Sequence, residues 1–366
     1  MNKLIANISL VLAILLSSAA CVRRDLADPS ETVAIRINVD IKTVTNVTAN
    51  VRESIKLYNS NTTLWEPKLE QLDPQMMRVL VYDPDNDRLI SQSFISNAST
   101  NEDGTKVFSG SLGISHGNYN FLVYNFDTPT TQVTAENNER NIIAYTNEIS
   151  PALKARFSGA GLSDSGKTDP YENVNLHYEP EHLLVANERD VRISPHDTLV
   201  VIETEASTVI DTYYLQIRVK GLQFASSATA VISGLSPSNK IGLNLRTVDP
   251  SAAVVFDLQK GYDTEIDGEN KDVLCAVFNT FGKIEEISSN LYVTFNVFDT
   301  AGNLLQYTAN LDTVFESELA IKYNWLIIED AYIEIPDPQP HDPQTGGGGF
   351  QPKVDDWEEE HGEITI

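Results

Sequence analysis

Val33, Ile35, Ile37, Val39 and Ile41 alternate with Ala34, Arg36, Asn38 and Asp40, the cleanest period-two run in the chain. Such a run buries one face and wets the other, and predicts a β-strand. Residues 45–75 are weakly patterned. Met76 to Tyr82 is apolar on both faces and predicts a central strand. Asp83-Pro84-Asp85-Asn86-Asp87 turns the chain, and Leu89-Ile90 resumes it, a hairpin. Lys106 to Leu112 and Asn118 to Phe126 are expected to pair around Gly113 and Gly117. From Asp127 to about Tyr178 the apolar rhythm fades into Asn, Thr, Ser and Gly, and a loop of that length is usually functional or mobile.

The second half repeats the style. Leu199-Val200-Val201-Ile202 is one apolar run, and Tyr213, Leu215, Ile217 and Val219 alternate with polar partners. Ile241, Leu243 and Leu245 alternate in the same way. Leu291 to Val297 and Leu305 to Leu311 flank Asp299-Thr300-Ala301-Gly302-Asn303, a hairpin with turn residues where the backbone needs them. Short strands at regular spacing, with almost no helical period, predict an all-β chain of two tandem antiparallel β-sandwiches. The expected division is residues 31–198 for the first, including the long loop 127–178, and 199–336 for the second.

The two ends do not fit that pattern. Lys3, the apolar run Ile8 to Leu16, and small residues before Cys21 have the anatomy of a secretory signal over residues 1–20. The apolar centre is too short to span a bilayer as a stable helix. The stretch Leu16-Ser17-Ser18-Ala19-Ala20-Cys21 resembles a bacterial lipobox, except that Ser18 stands where the pattern usually has leucine. By that resemblance, Cys21 becomes the lipidated N-terminus, residues 21–30 form a polar tether, and Val22 points to the outer membrane, with the leaflet open. At the other end, Pro336 to Pro343 reads as a stiff extended stretch and Gly346 to Gly349 as a flexible joint. The tail beyond is acidic, with Val354, Trp357, Ile364 and Ile366 as apolar positions. It reads either as a disordered acidic tail or as a strand that adds itself to a sheet edge.

Charge narrows the partners. Lys and Arg number 26 against 52 Asp and Glu, a formal net charge of −26. Removing residues 1–20 takes away Lys3 alone, leaving 25 basic residues. Such a surface repels nucleic acid and anionic headgroups, so membrane attachment falls to the lipid. With Cys21 lipidated, only Cys275 remains, so no disulfide framework is available; within Val273 to Phe278 it reads as a buried small hydrophobe.

Cys21-Val22-Arg23-Arg24-Asp25-Leu26 ahead of an alternating strand, Val79-Leu80-Val81-Tyr82-Asp83, and Gly117 to Asn125 together resemble Bacteroidales fimbrillin-type lipoproteins. The similarity is to the minor-fimbrium anchoring-subunit group and its relatives. Leu183 to Ala186, the Ser233-Gly234-Leu235-Ser236 turn and Asp356-Trp357 fit the same group. The resemblance implies transthyretin-like sandwiches, a lipidated base at the membrane, and sheet-edge strand exchange with fimbrial or other β-rich subunits. Residues 354–366 are then the donor-strand candidate.

Several enzyme-like matches fail on context. Gly161 to Thr168 satisfies the phosphate-loop pattern, but Asp169-Pro170 arrives where its helix should run. Gly113-Ile114-Ser115-His116-Gly117 fits the nucleophile-elbow pattern but continues into a strand at Tyr119. Asp83, Asp85 and Asp87 are spaced like the start of a calcium loop, without the glycine and distal glutamate that complete it; a solvated turn is the reading, with weak Ca²⁺ binding left open. His177 and His182 are expected as exposed loop residues. No catalytic site, metal site or cofactor is expected. The sequence therefore predicts a non-enzymatic, lipid-anchored outer-membrane protein of adhesion or fimbrial assembly, with a surface receptor among its partners. The alternative is a surface lipoprotein that captures glycans for nutrition, disfavoured because Trp65, Trp325 and Trp357 are the only tryptophans and Trp325 sits in an apolar run.

Overall fold

The first alternating run forms strand β1 (Thr32–Asp40), with Val33, Ile35, Ile37 and Val39 buried and Thr32, Ala34 and Arg36 exposed. The computed structural model describes residues 32–40, 74–102, 106–157, 174–248, 251–261, 272–284 and 291–338. β1 lies between β5 (Lys106–Ser115), antiparallel, and β11 (Leu199–Glu205), parallel. β4 (Asn97–Thr100) completes that sheet on the far side of β5. Facing it is a second sheet in the order β12 (Ser207–Thr208), β10 (Leu184–Ile193), β6 (Gly117–Asn125), β2 (Met77–Tyr82), β3 (Leu89–Ile95). Ile35, Ile37 and Phe108 from one sheet meet Met77, Val79, Phe121, Val123 and Leu184 from the other in a single core. Burying such side chains gives about 25 cal/mol per Å² of apolar surface, which is what holds two otherwise half-wet sheets face to face.

The second sandwich is built the same way. One sheet runs β18 (Gln259–Gly261), β19 (Val273–Thr280), β13 (Asp211–Lys220), β22 (Trp325–Glu334). The other runs β21 (Leu304–Asn310), β20 (Tyr292–Asp299), β14 (Ala225–Leu235), β17 (Ala252–Asp257), β9 (Asn175–Tyr178). Leu215, Ile217, Phe256, Phe278, Val293, Phe295 and Leu326 fill the space between them. Phe256 and Phe278 stack with centroids 4.3 Å apart.

A fifth sheet joins the two halves of the chain. Its order is β16 (Leu245–Arg246), β15 (Ser238–Lys240), β8 (Ile143–Thr146), β7 (Thr131–Thr134). It covers the outer face of β2, β6 and β10, where Leu80, Tyr82, Leu122, Tyr124 and Val185 meet Ile142, Ala144 and Ile241.

The all-β architecture with two sandwiches is as the sequence predicts, and five details of its assembly differ. Leu199 to Ile202, expected to open the second half, pairs instead with β1 (Ala34↔Leu199 to Asp40↔Glu205), so a division at residue 198 cuts through the first sandwich. The sheets change hands between Thr208 and Asp211. β5 and β6 do not form a hairpin: the chain at His116 and Gly117 crosses from one sheet to the facing one. Of the expected loop 127–178, the described residues carry β7, β8, a helix (Pro151–Phe157) and β9, the last of which joins the second sandwich parallel to β17. Ser233 to Leu235 is a bulge within β14, with Gly234 at φ 82°, and not a turn. Ile241 to Asn244 is a turn, with Ile241 buried and Leu245 exposed. The hairpins β2–β3 and β20–β21 form as predicted.

Candidate functional site

The strand directions place the two ends of the described fold far apart. β1 starts at Thr32 beside Ser115, and ends at Asp40, whose carbonyl accepts from Ala206 N at 2.9 Å, next to the crossing into the second sandwich. β13 then runs from Asp211 at that junction to Lys220, and β22 runs parallel to it, from Tyr214↔Trp325 to Lys220↔Glu334. The chain thus enters at the free end of the first sandwich and leaves at the free end of the second. At about 3.3 Å per residue, each of β1 and β13 spans about 30 Å.

The exit is held firmly. Ile335 N donates to Lys220 O at 2.9 Å, and the Tyr307 hydroxyl donates to Glu334 O. Gly221 sits at φ 76°, and a Cβ there would stand 2.1 Å from Ile335 O, so only glycine lets the two segments approach. Beneath, Trp325 is fully buried against Tyr214 and Cys275, as the apolar run predicts. Burial pushes the Cys275 thiol up to about 11, so it is a core group and not a nucleophile. β22 is an edge strand whose exposed positions are Glu329, Asp330, Ala331, Tyr332 and Glu334, with Lys220 Nζ 4.1 Å from the Tyr332 ring centroid. Charged side chains along an open edge discourage indiscriminate strand addition.

The junction between the sandwiches is polar and packed. His182, expected to be exposed, is buried: Nδ1 lies 3.3 Å from Thr208 Oγ1 and Nε2 3.5 Å from Thr212 Oγ1. Burial lowers its pKa to about 4, so it is neutral at physiological pH. Nearby, Glu179 accepts from Asn279 N at 2.7 Å and Glu181 from Thr130 N at 2.9 Å. His177 Nδ1 meets Thr146 O at 3.0 Å and so carries the proton there. Pro180 between the two histidines marks a break in pattern; nothing in the sequence reveals that the break lies inside a junction. A cleft of about 440 Å³ opens beside it, lined by Thr208, Asp211, Asn239, Arg246, Thr247 and Lys283, with Arg246 paired to Asp211 at 2.7 Å. It is polar and shallow, with no convergent nucleophile and base.

A second polar cluster seals the fifth sheet onto the first sandwich. Arg78 contacts Glu136 at 2.5 Å, Tyr82 donates to Glu136 O at 2.9 Å, and the Tyr124 hydroxyl bonds the Glu136 carboxylate. Burial, then the nearby carboxylate, raises both phenols above their ordinary value. Glu139, buried, is matched by Asn120 at 2.7 Å and Arg189 at 3.1 Å. These carboxylates sit in the polar stretch that the sequence pattern left blank.

The other singled-out motifs resolve individually. Asp83 accepts from Asp85 N at 3.0 Å and Asn86 Nδ2 at 2.8 Å, while Asp87 pairs with Arg140 at 2.9 Å; one carboxylate is used inside the hairpin turn and a second is engaged outside it. Among the described residues no group of three His, Cys, Asp or Glu converges to hold a metal ion. Ser115 ends β5, and the chain continues into β6 with no helix behind it. Phe94 and Phe126 are half exposed but meet edge to face at 61°, and so form no flat platform for a sugar ring. No helix of the described residues is long and apolar enough to cross a membrane. Cys21, Val354, Trp357, Ile364, Ile366 and the phosphate-loop match at 161–168 lie outside the described residues.

Two β-sandwiches in tandem, entered at one end and left at the other, define the class of fold. Residues 64–257, more than half of the chain, match the family described as a domain of unknown function, DUF5119, and the chain belongs to that family. A candidate fimbrium anchoring subunit, Fim4B, of Bacteroides ovatus is 22% identical over 373 residues, covering 95% of this chain and 94% of its own. The crystal structure of a candidate adhesin from Bacteroides ovatus superposes with a TM-score of 0.56 at 19% identity, over 87% of this chain and 98% of that one, and shows the same fold. The fimbrial anchor protein Mfa2 from Porphyromonas gingivalis is more distant, with a TM-score of 0.41 at 12% identity over 78% of this chain and 85% of its own. The family match and the relation to Fim4B bear out the expected resemblance to the fimbrillin-type family.

Proposed function

We propose that this protein is a non-enzymatic anchor or accessory subunit of a fimbrium, acting in cell adhesion or fimbrial assembly from the outer membrane. Cys21 carries the lipid and fixes the entrance of the first sandwich near the bilayer. The C-terminal segment, with Val354, Trp357, Ile364 and Ile366, adds a strand to the sheet of a fimbrial or other β-rich subunit. The observation that carries this reading is the placement of entrance and exit at opposite free ends, which suits a link between a membrane and a growing polymer. The relationship to a named candidate fimbrium anchoring subunit over 95% of the chain supports it.

The test is recovery of partners from native envelope extract by the mature chain, with and without residues 345–366. Retention of a β-rich subunit by the full-length chain alone supports the reading; identical recovery by both forms removes the tail from it. Cys21→Ala should release the protein from membranes and abolish labelling by a fatty-acid probe, and membrane retention by that variant sinks the lipid assignment.

A further inference from the structure

In each sandwich, the strand nearest the chain end lies parallel to the strand leading to the junction. β1 pairs with β11 from Ala34↔Leu199 to Asp40↔Glu205, and β11 continues through Ala206 and β12 into β13. β13 pairs with β22 from Tyr214↔Trp325 to Lys220↔Glu334. A pull outward on residue 31 drags β1 away from the junction while β11 is held by it. A pull outward on residue 338 drags β22 away while β13 is held at Asp211. Both ladders are then loaded lengthwise. Hydrogen bonds loaded that way must fail together, whereas a ladder opened from one end gives up its bonds one after another.

Side chains add to the resistance. Val33, Ile35, Ile37 and Val39 on β1, and Trp325, Leu326, Ile328 and Ile333 on β22, are all buried. Because side chains alternate between faces, a slip of one residue would push every one of them to the wrong side. The junction itself is braced. The chain crosses it five times: before the helix Pro151–Phe157, between β9 and β10, between β12 and β13, and out and back with β15 and β16. The arm carrying β15 and β16 grips the first sandwich through Ser238↔Tyr145, Asn187 Nδ2 to Ile241 O at 3.2 Å, and Arg189 to Gly242 O. At Gly242 a Cβ would stand 2.0 Å from Glu139 O, so the arm is seated in close backbone contact.

We infer that the protein is a load-bearing link: two parallel-strand clamps in series, β1–β11 and β13–β22, that resist tension applied between its two ends. β1 is held by two ladders, since β5 pairs along its whole length; β22 has one, interrupted by a bulge between Ile217 and Arg218. The second sandwich therefore yields first. That tension exists in the cell rests on the anchoring reading above; the clamp itself does not.

The experiment is single-molecule force spectroscopy on the full mature chain. Handles on Glu31→Cys and Pro338→Cys pull the clamps in shear; handles on Lys220→Cys and Glu334→Cys open β13–β22 from one end. At equal loading rate the first geometry should need at least about twofold the rupture force of the second, because forced unfolding reports the barrier and not the equilibrium stability. With handles at residue 31 and residue 338, an oxidised cross-link between positions 220 and 334 should abolish the first rupture and leave the later one. Equal forces in the two geometries, or a first rupture untouched by the cross-link, would overturn the inference. Strong clamps in a protein that captures no subunit would leave it standing and remove the anchoring reading instead.

Discussion

His182 makes the stability of the junction depend on acid. The perturbation is a fall in pH from 7.5 to 4.5, compared between the native chain and His182→Gln, whose amide can still reach Thr208 and Thr212. Burial lowers the imidazole from 6.5 to about 4. The fold therefore favours the neutral ring, and the unfolded chain takes up the proton first. Above pH 6.5 the ring contributes no pH dependence; below it, stability falls until the folded pKa is passed and then levels off. At 1.36 kcal/mol per pKa unit the full loss is about 3 kcal/mol, with most of it realised by pH 4.5. Glu179 and Glu181, bonded to Asn279 N and Thr130 N, are common to both proteins, so their contribution cancels in the difference. Urea unfolding at four or five pH values gives the native-minus-variant difference. It should move by about 2–3 kcal/mol in favour of the variant as the pH falls. A difference that stays flat across that range refutes the claim that His182 is held neutral by burial.

Gly221→Ala places a methyl 2.1 Å from Ile335 O at φ 76°, and should cost about 2–4 kcal/mol by combining left-handed strain with displacement of the last strand; an unchanged melting curve would contradict the close approach. Phe278→Ala removes a ring stacked on Phe256 and Tyr213 and should cost about 3–5 kcal/mol in chemical denaturation. Cys275, with its thiol raised to about 11, should stay unmodified by a thiol reagent at pH 8 until denaturant is added; rapid native labelling would mean that the β13–β19–β22 sheet opens easily.

Much of the fold was legible because a strand with one wet face writes its period into the chain. β1 is such a strand, with Val33 to Val39 buried at the alternate positions the pattern names; in β13 and β20 the polar residues between, Gln216, Thr294 and Asn296, are buried as well, so the period there lies in residue type and not in exposure. Which strand sits beside which was not legible. Leu199 to Ile202 has the same apolar run whether it pairs with β1 or begins a new domain, and only a parallel partner some 165 positions earlier decides it. Gly113 and Gly117 suit a tight turn and equally suit a crossing between sheets. The fifth sheet was hidden because Thr131 to Thr134 and Ile143 to Thr146 are four-residue strands, too short for a period to show. His182 was misjudged for a related reason: its partners Thr208 and Thr212 come from the far side of the junction, and neither is predictable from the Glu- and Pro-rich segment around it.

The fifth sheet also sets an order of events for the chain as it is made. β7 and β8 arrive early, but β15 and β16 lie almost a hundred residues later, and β9 belongs to a sheet whose other strands begin only at Ala225. Until residue 246 has emerged, Leu80, Tyr82, Leu122 and Tyr124 lack half of the cover they acquire in the finished protein. The first sandwich is thus an unfinished object when its own strands are complete, sticky on one face and waiting for its successor. A first half cut from the second keeps its own core but leaves that face bare, and should be less stable and more prone to aggregate than the whole chain.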